Sequence, residues 1–292
     1  MPEAIQPINA QNMKQRIKSY SNSPGSLILA VLVGLAALIT VLTLVFILGY
    51  ILVKGIPNLS ADLFQLEYNS ENVSMFPSII NTILMTLLSL VIAGPLGIFA
   101  AVYLVEYAKK GNKLVSVVRV TAETLTGIPS IVYGLFGMLF FVTTLKWGYS
   151  MLAGAFTLAI MVLPVIMRTT EEALLAVPDM YREASFGLGA GRLRTIFVVI
   201  LPSAIPGILS GIILSIGRIV GETAALMYTA GTVAELPSSV MSSARTLSLH
   251  MYTLASEGLH IDKAYATAVV LLLVVLVINW ISGRIARKVK KG

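Results

Sequence analysis

Cysteine is absent from this 292-residue chain, and charge is scarce: Asp, Glu, Lys and Arg make up 12% of it. Without thiols there is no disulfide scaffold, thiolate metal site or thiol catalysis. Only two histidines occur, His250 and His260, with no carboxylate cluster beside them, which argues against a zinc or iron site. The phosphate-binding pattern Gly-x-x-x-x-Gly-Lys-[Ser/Thr] is missing, as is any Gly-Lys pair, so ATP, if used, binds another chain. No Gly-x-Ser-x-Gly, paired aspartates or His-Glu-x-x-His is present, which ranks an intramembrane enzyme last.

Apolar residues dominate instead, at 57% of the chain, with a mean hydropathy of +0.87. A soluble domain carries roughly a quarter charged residues, and half that share leaves too few to cover a water-soluble surface. The composition reads as an all-α integral membrane protein. A spanning helix needs about 20 mainly apolar residues. Uncharged windows fall at 19–53, 72–105, 124–145, 147–167, 195–217 and 264–283, which predicts six transmembrane helices. The apolar stretch 27–53 exceeds the roughly 7–15 residues of a signal h-region, so it reads as a retained anchor.

The net charge of +7 is a topology signal. Sixteen Lys and Arg lie in the N-terminal tail, 106–123, 168–194 and 284–292. Four lie in the alternate segments (Lys54, Lys146, Arg245 and Lys263). The richer side is the cytoplasmic one, which places both termini inside. The basic residues are too dispersed for a nucleic-acid face, so no nucleic-acid partner is expected. The expected order is a cytoplasmic tail 1–26, an anchor helix 27–53, an extracytoplasmic loop 54–75, a core 76–286 of five spans, and a basic tail 287–292. Pro95, Pro129, Pro164, Pro202 and Pro206 lie at or near membrane depth. They fit either close packing or bent helices around a cavity that changes shape.

Two features stand out within this frame. The connector 168–194 is far longer than a hairpin needs. Asp179 is a suitable N-cap for a short helix from Met180, ended by glycines at 187–191. Tyr181, Ala184 and Leu188 would share one face, giving either a projecting knob or a connector lying on the membrane surface. The second feature is charge at membrane depth, which costs roughly 2.5–3.5 kcal/mol per residue even on lenient scales. The fifth window continues past Arg218 and Glu222, which predicts a long helix carrying both. Their spacing of four puts them on one face, so they can pair, with Ser215, Gly211 and Gly207 extending it. The face suits a hydrated path or a seam, and the pair is either a structural ion pair or an anion site shaped by its carboxylate. Arg168 reads as a snorkelling Arg or a second anion contact. Glu171 and Glu172 read as loop charges, and Glu123 as a carboxylate at the start of the third span. The outer loop 235–262 is expected to hold a helical stretch from Ser243 to Leu254.

Glu183-Ala184-Ser185, three residues, Gly189, nine residues, then Val199-Ile200-Leu201-Pro202 resembles the EAA loop of permease subunits of ABC importers. Ser185 and Val199 are mild departures from that pattern. Gly127 to Gly137, Leu163-Pro164 to Glu172, and Gly217-Arg-Ile-Val-Gly-Glu-Thr-Ala-Ala225 are similar to the phosphate-importer branch, the PstA type; with the loop they cover roughly 75–285. The resemblance implies the type I importer (MetI-like) permease fold. It implies a coupling helix, with Asp179, Tyr181, Glu183, Ala184, Leu188 and Gly189 facing an ATPase groove. It also implies a substrate path through Arg218, Glu222, Arg168 and Ser215. The implied partners are a second permease, two ATPase subunits that carry the ATP and Mg, an extracytoplasmic phosphate-binding protein, and bacterial inner-membrane lipid. No cofactor is expected in this chain. The alternatives are another oxyanion, such as sulfate or molybdate, or an ATP-independent carrier that would leave the knob without purpose.

Overall fold

A computed structural model describes residues 24–109 and 111–289, and among them every regular element is helical. The expected tails therefore lie largely outside the described residues. Two units are distinguished, residues 1–53 and 54–292. The first holds most of α1 (Pro24–Gly55), whose uncharged apolar run explains its length. Its large side chains are exposed, as suits a helix solvated by lipid.

The second unit contains the remaining spans. Helix α2 (Phe76–Val102) starts with a proline in its first turn, where the missing N–H costs nothing, and ends in a π-turn at Tyr103–Tyr107. Its polar side chains bond back to their own helix: Thr82 to Ser78 O, Thr86 to Thr82 O and Ser89 to Met85 O. The third span is a bent pair, α3 (Lys113–Thr126) and α4 (Ser130–Gly137, continuing to Thr144), meeting at 104°. Pro129 lacks a backbone donor and forces Ile128 out of helical geometry, which breaks the span there. Among the described residues five helices are long and apolar enough to cross a membrane, and the bent pair brings the number to the expected six if it counts as one span.

Helix α5 (Met151–Leu175) is the most enclosed span, with Leu158, Met161, Val162 and Ile166 fully buried. It runs eight residues past the window that ended at Met167. The Arg168-Thr-Thr-Glu-Glu run is its last two turns, because Glu and Leu are good helix formers and no breaker intervenes before Pro178. The knob is α6 (Asp179–Gly187), followed by α7 (Arg192–Thr195) and a π-turn into α8 (Leu201–Val220). A short α9 (Ala224–Thr229), α10 (Leu247–Glu257) and the last span, α11 (Ile261–Val289), complete the unit. The helix expected from Ser243 thus begins four residues later, after Thr246.

Two of the four apolar clusters among the described residues make up most of the bundle core. One gathers Met85, Tyr133, Leu158, Met161, Ile219 and Leu226; the other, toward the knob, gathers Leu104, Val115, Leu174, Ile196 and Ile200. At the opposite end the loops knit to the spans through Asn81 Nδ2 donating to Glu235 O, Leu247 N to Thr82 Oγ1, and Lys263 Nζ to Glu71 O.

Candidate functional site

The small-residue face of α8 is a seam against α5. A Cβ added at Gly207 would strike Ala173, and one at Gly211 would strike Thr169. Glycine here lets two backbones approach more closely than any other residue allows. Ser215 continues the seam, is fully buried, and donates to Gly211 O at 2.9 Å. It therefore does not line a path in this conformation.

The expected Arg218–Glu222 pair does not form. Helix α8 ends at Val220, with Gly221 as its cap, so the four-residue spacing no longer keeps both side chains on one face. Glu222 turns away to accept the Ala225 N–H at 3.0 Å, capping α9, while its carbonyl accepts the Ser248 hydroxyl at 2.6 Å. Arg218 is left half-buried, with no ion pair among the described residues. Its charge lies in electrostatic reach of Tyr133, whose hydroxyl donates across the bent span to Leu125 O at 2.7 Å.

Toward the knob end, α3 and α5 enclose about 300 Å³ lined by Arg119, Glu123, Thr126, Arg168, Glu171 and Glu172. Arg119 binds the buried Glu171 at 2.5 Å, and Arg168 meets Glu172 at 3.2 Å on the exposed helix surface. The exposed pair contributes little, so Arg168 can leave Glu172 for another anion at small cost. Glu171 is a buried partner of Arg119 rather than a loop charge. Glu123 lies in the last turn of α3, not at a helix start: the helix begins at Lys113, inside a stretch whose charges argue for a loop. Arg119 escapes sequence reasoning for the same reason, counting there only as a topology charge.

The knob matches its expected position. Helix α6 starts after Pro178, and Asp179, its first residue, is 88% exposed and bonds Arg182 rather than capping the helix. Glu183 and Ala184 are exposed, with Tyr181 at 45% and Leu188 at 90%. Met180 and Phe186, not singled out from sequence, are exposed as well. The stop is Gly189, whose φ of +80° favours glycine and whose N–H donates to Phe186 O at 2.9 Å. Exposed apolar groups on this nine-residue helix present a surface suited to docking.

The exposed knob helix and the one broken span among the described residues fit a membrane subunit that docks onto another protein. The family model described as "Binding-protein-dependent transport system inner membrane component" matches residues 93–291, and the chain belongs to that family. It is similar to the "Probable ABC transporter permease protein YqgI" of Bacillus subtilis, 35% identical over 87% of this chain and 94% of that one. It is also similar to the "Phosphate transport system permease protein PstA" of Pasteurella multocida, 43% identical over 64% of this chain and 67% of that one. A solved bacterial alginate ABC transporter shares the fold, with a TM-score of 0.69 at 17% identity over 93% of this chain and 98% of that one. The chain is thus an ABC importer permease, a membrane component without catalytic activity whose ATPase is a separate subunit.

Proposed function

We propose that this chain is a permease subunit of an ATP-driven importer of inorganic phosphate, working by alternating access. The observation that carries the reading is Arg218: a half-buried cation in a spanning helix whose nearest acid in sequence is engaged elsewhere. A guanidinium left without a carboxylate suits a tetrahedral oxyanion, to which its planar fork donates two parallel hydrogen bonds. Arg168 supplies a second contact about one helix turn or more nearer the knob end, where the anion leaves. Glu222 shapes the site by fixing the backbone after Arg218, and Ser215 drops out of the path. The relatives named for phosphate support the substrate.

In this reading a second, similar permease completes the cavity. Two ATPase subunits, carrying ATP and Mg, grip the knobs through Tyr181, Glu183, Ala184 and Leu188, and a phosphate-binding protein docks at the opposite end. Both termini are cytoplasmic in a bacterial inner membrane, as the Lys and Arg distribution supports.

The test is labelled-phosphate uptake in cells lacking the chain, restored with wild type or Arg218→Gln at equal membrane abundance, with excess sulfate as competitor. Restoration by wild type, insensitive to sulfate and at least about tenfold weaker with Arg218→Gln, is the expected result. Full uptake with Arg218→Gln removes Arg218 from the site. Uptake competed away by sulfate moves the substrate to another oxyanion.

A further inference from the structure

The densest set of bonds between the knob helix and the bundle converges on one side chain. Arg182, on the inner face of α6, is largely buried and makes five hydrogen bonds. Its Nε and Nη2 donate to Glu106 Oε1 at 3.1 and 2.7 Å. Nη2 also donates to Leu174 O at 3.0 Å, and Nη1 donates to Val177 O at 2.9 Å and Asp179 Oδ1 at 3.0 Å. A guanidinium has five N–H donors, so none is left over. The acceptors come from different elements. Glu106 belongs to the π-turn that ends α2, Leu174 is in the last turn of α5, and Val177 and Asp179 lead into α6.

Glu106 is itself buried and doubly held. Its backbone carbonyl accepts from Arg192 Nη2, and the Arg192 guanidinium lies 5.0 Å from the centre of the neighbouring Tyr107 ring. Ser185 and Thr195 share a hydrogen bond at 2.8 Å, closing the far side of α6 onto α7. A buried charge pair of this kind is costly to desolvate, and a hydrophobic contact would hold a surface helix as well. What the ionic arrangement adds is direction: five bonds fix position and orientation together, where an apolar contact would slide.

We propose that Arg182 and Glu106 are the force-transmitting joint of the permease, locking the knob to the ends of α2 and α5 so that the three move as one body when the ATPases close. Both are positioning residues; neither touches the transported anion. Lysine cannot replace Arg182, because one ammonium cannot reach the Leu174 and Val177 carbonyls and the Glu106 carboxylate at once. Glutamine at 106 keeps the accepting oxygen and loses only charge assistance.

The absence of cysteine gives a direct readout. A single cysteine replacing Thr126, in the wall of the cavity between α3 and α5, reports closure of the knob end through its rate of reaction with a maleimide. The permease is reconstituted with its partner permease and ATPase, and labelling is compared without nucleotide and with ATP plus vanadate. With the joint intact, nucleotide slows labelling about tenfold, in the usual range of coupling between sites. Arg182→Lys and Glu106→Ala abolish the slowing while the ATPase still co-purifies in equal amount, and Glu106→Gln retains part of it. Full protection in Arg182→Lys overturns the proposal, as does a loss that tracks loss of bound ATPase in every variant. No transported anion is required, so this result is independent of the phosphate assignment.

Discussion

Three side chains illustrate how local chemistry decides what a polar group in this molecule can do. Glu222, read from spacing as a counter-ion, has a backbone N–H to cap and a hydroxyl bound to its carbonyl, so its charge is used in shaping the chain. Glu222→Gln keeps an accepting oxygen and should leave uptake within about twofold of wild type; Glu222→Ala should cost about 1 kcal/mol of stability through the lost cap, read by thermal unfolding in detergent. His250, in α10, is fully buried at the edge of the Tyr68 ring, which also stacks under Arg245. Burial first, and the Arg245 charge second, push its pKa down to about 3, with a backbone contact at Val73 opposing them. Between that value and the ordinary 6.5 the unfolded chain binds a proton that the folded one refuses. The stabilising effect of the neutral ring is complete above pH 6.5 and drains as pH falls toward 3. Melting temperature should drop across that window, and His250→Leu should flatten the dependence.

At the scale of elements, glycine and proline decide more than hydrophobicity. Gly189 ends the knob in left-handed geometry, where proline, confined near about −65°, cannot sit, and its N–H is also needed. Gly189→Pro should reduce uptake at least about tenfold with normal membrane insertion, because the helix stop and the docking face are lost together. Gly211→Val should instead lower membrane abundance, since its side chain has no room against Thr169. The number of spans, the short helix near 180–187 and its glycine stop are legible from sequence, because uncharged length and breaker residues are local signals. Boundaries set by tertiary packing are not. The last turns of α5 and the whole of α3 carry charges that look like loop, yet Glu171 finds Arg119 across a helix interface. The end of α8 at Gly221 is equally hidden, because a glycine inside an apolar helix gives no local sign of stopping it.

For the whole molecule, the asymmetry of basic residues is the one global property written in the order of residues alone. It predicts that a single cysteine placed at Glu257 reacts with an impermeant maleimide from outside intact cells, and one at Lys290 only after the membrane is opened. The reverse pattern would invert the assignment of ends made from charge. Arg182 and Glu106 belong to the same scale, since residues 76 positions apart, each an ordinary loop charge by sequence, meet only because two spans bring them together. No local pattern encodes such a meeting.

The solitary state of Arg218 also bears on voltage. On the proposed function, with Glu222 turned away, the empty permease holds a half-buried cation that no ion pair among the described residues balances, and a bound monoanion would cancel it. The loaded form is then nearly indifferent to the membrane potential, while the empty form carries a charge worth up to about 2.3 kcal/mol per 100 mV over the full field. If Arg218 holds the anion as proposed, a resting potential would therefore act on the return stroke rather than on the stroke that carries cargo.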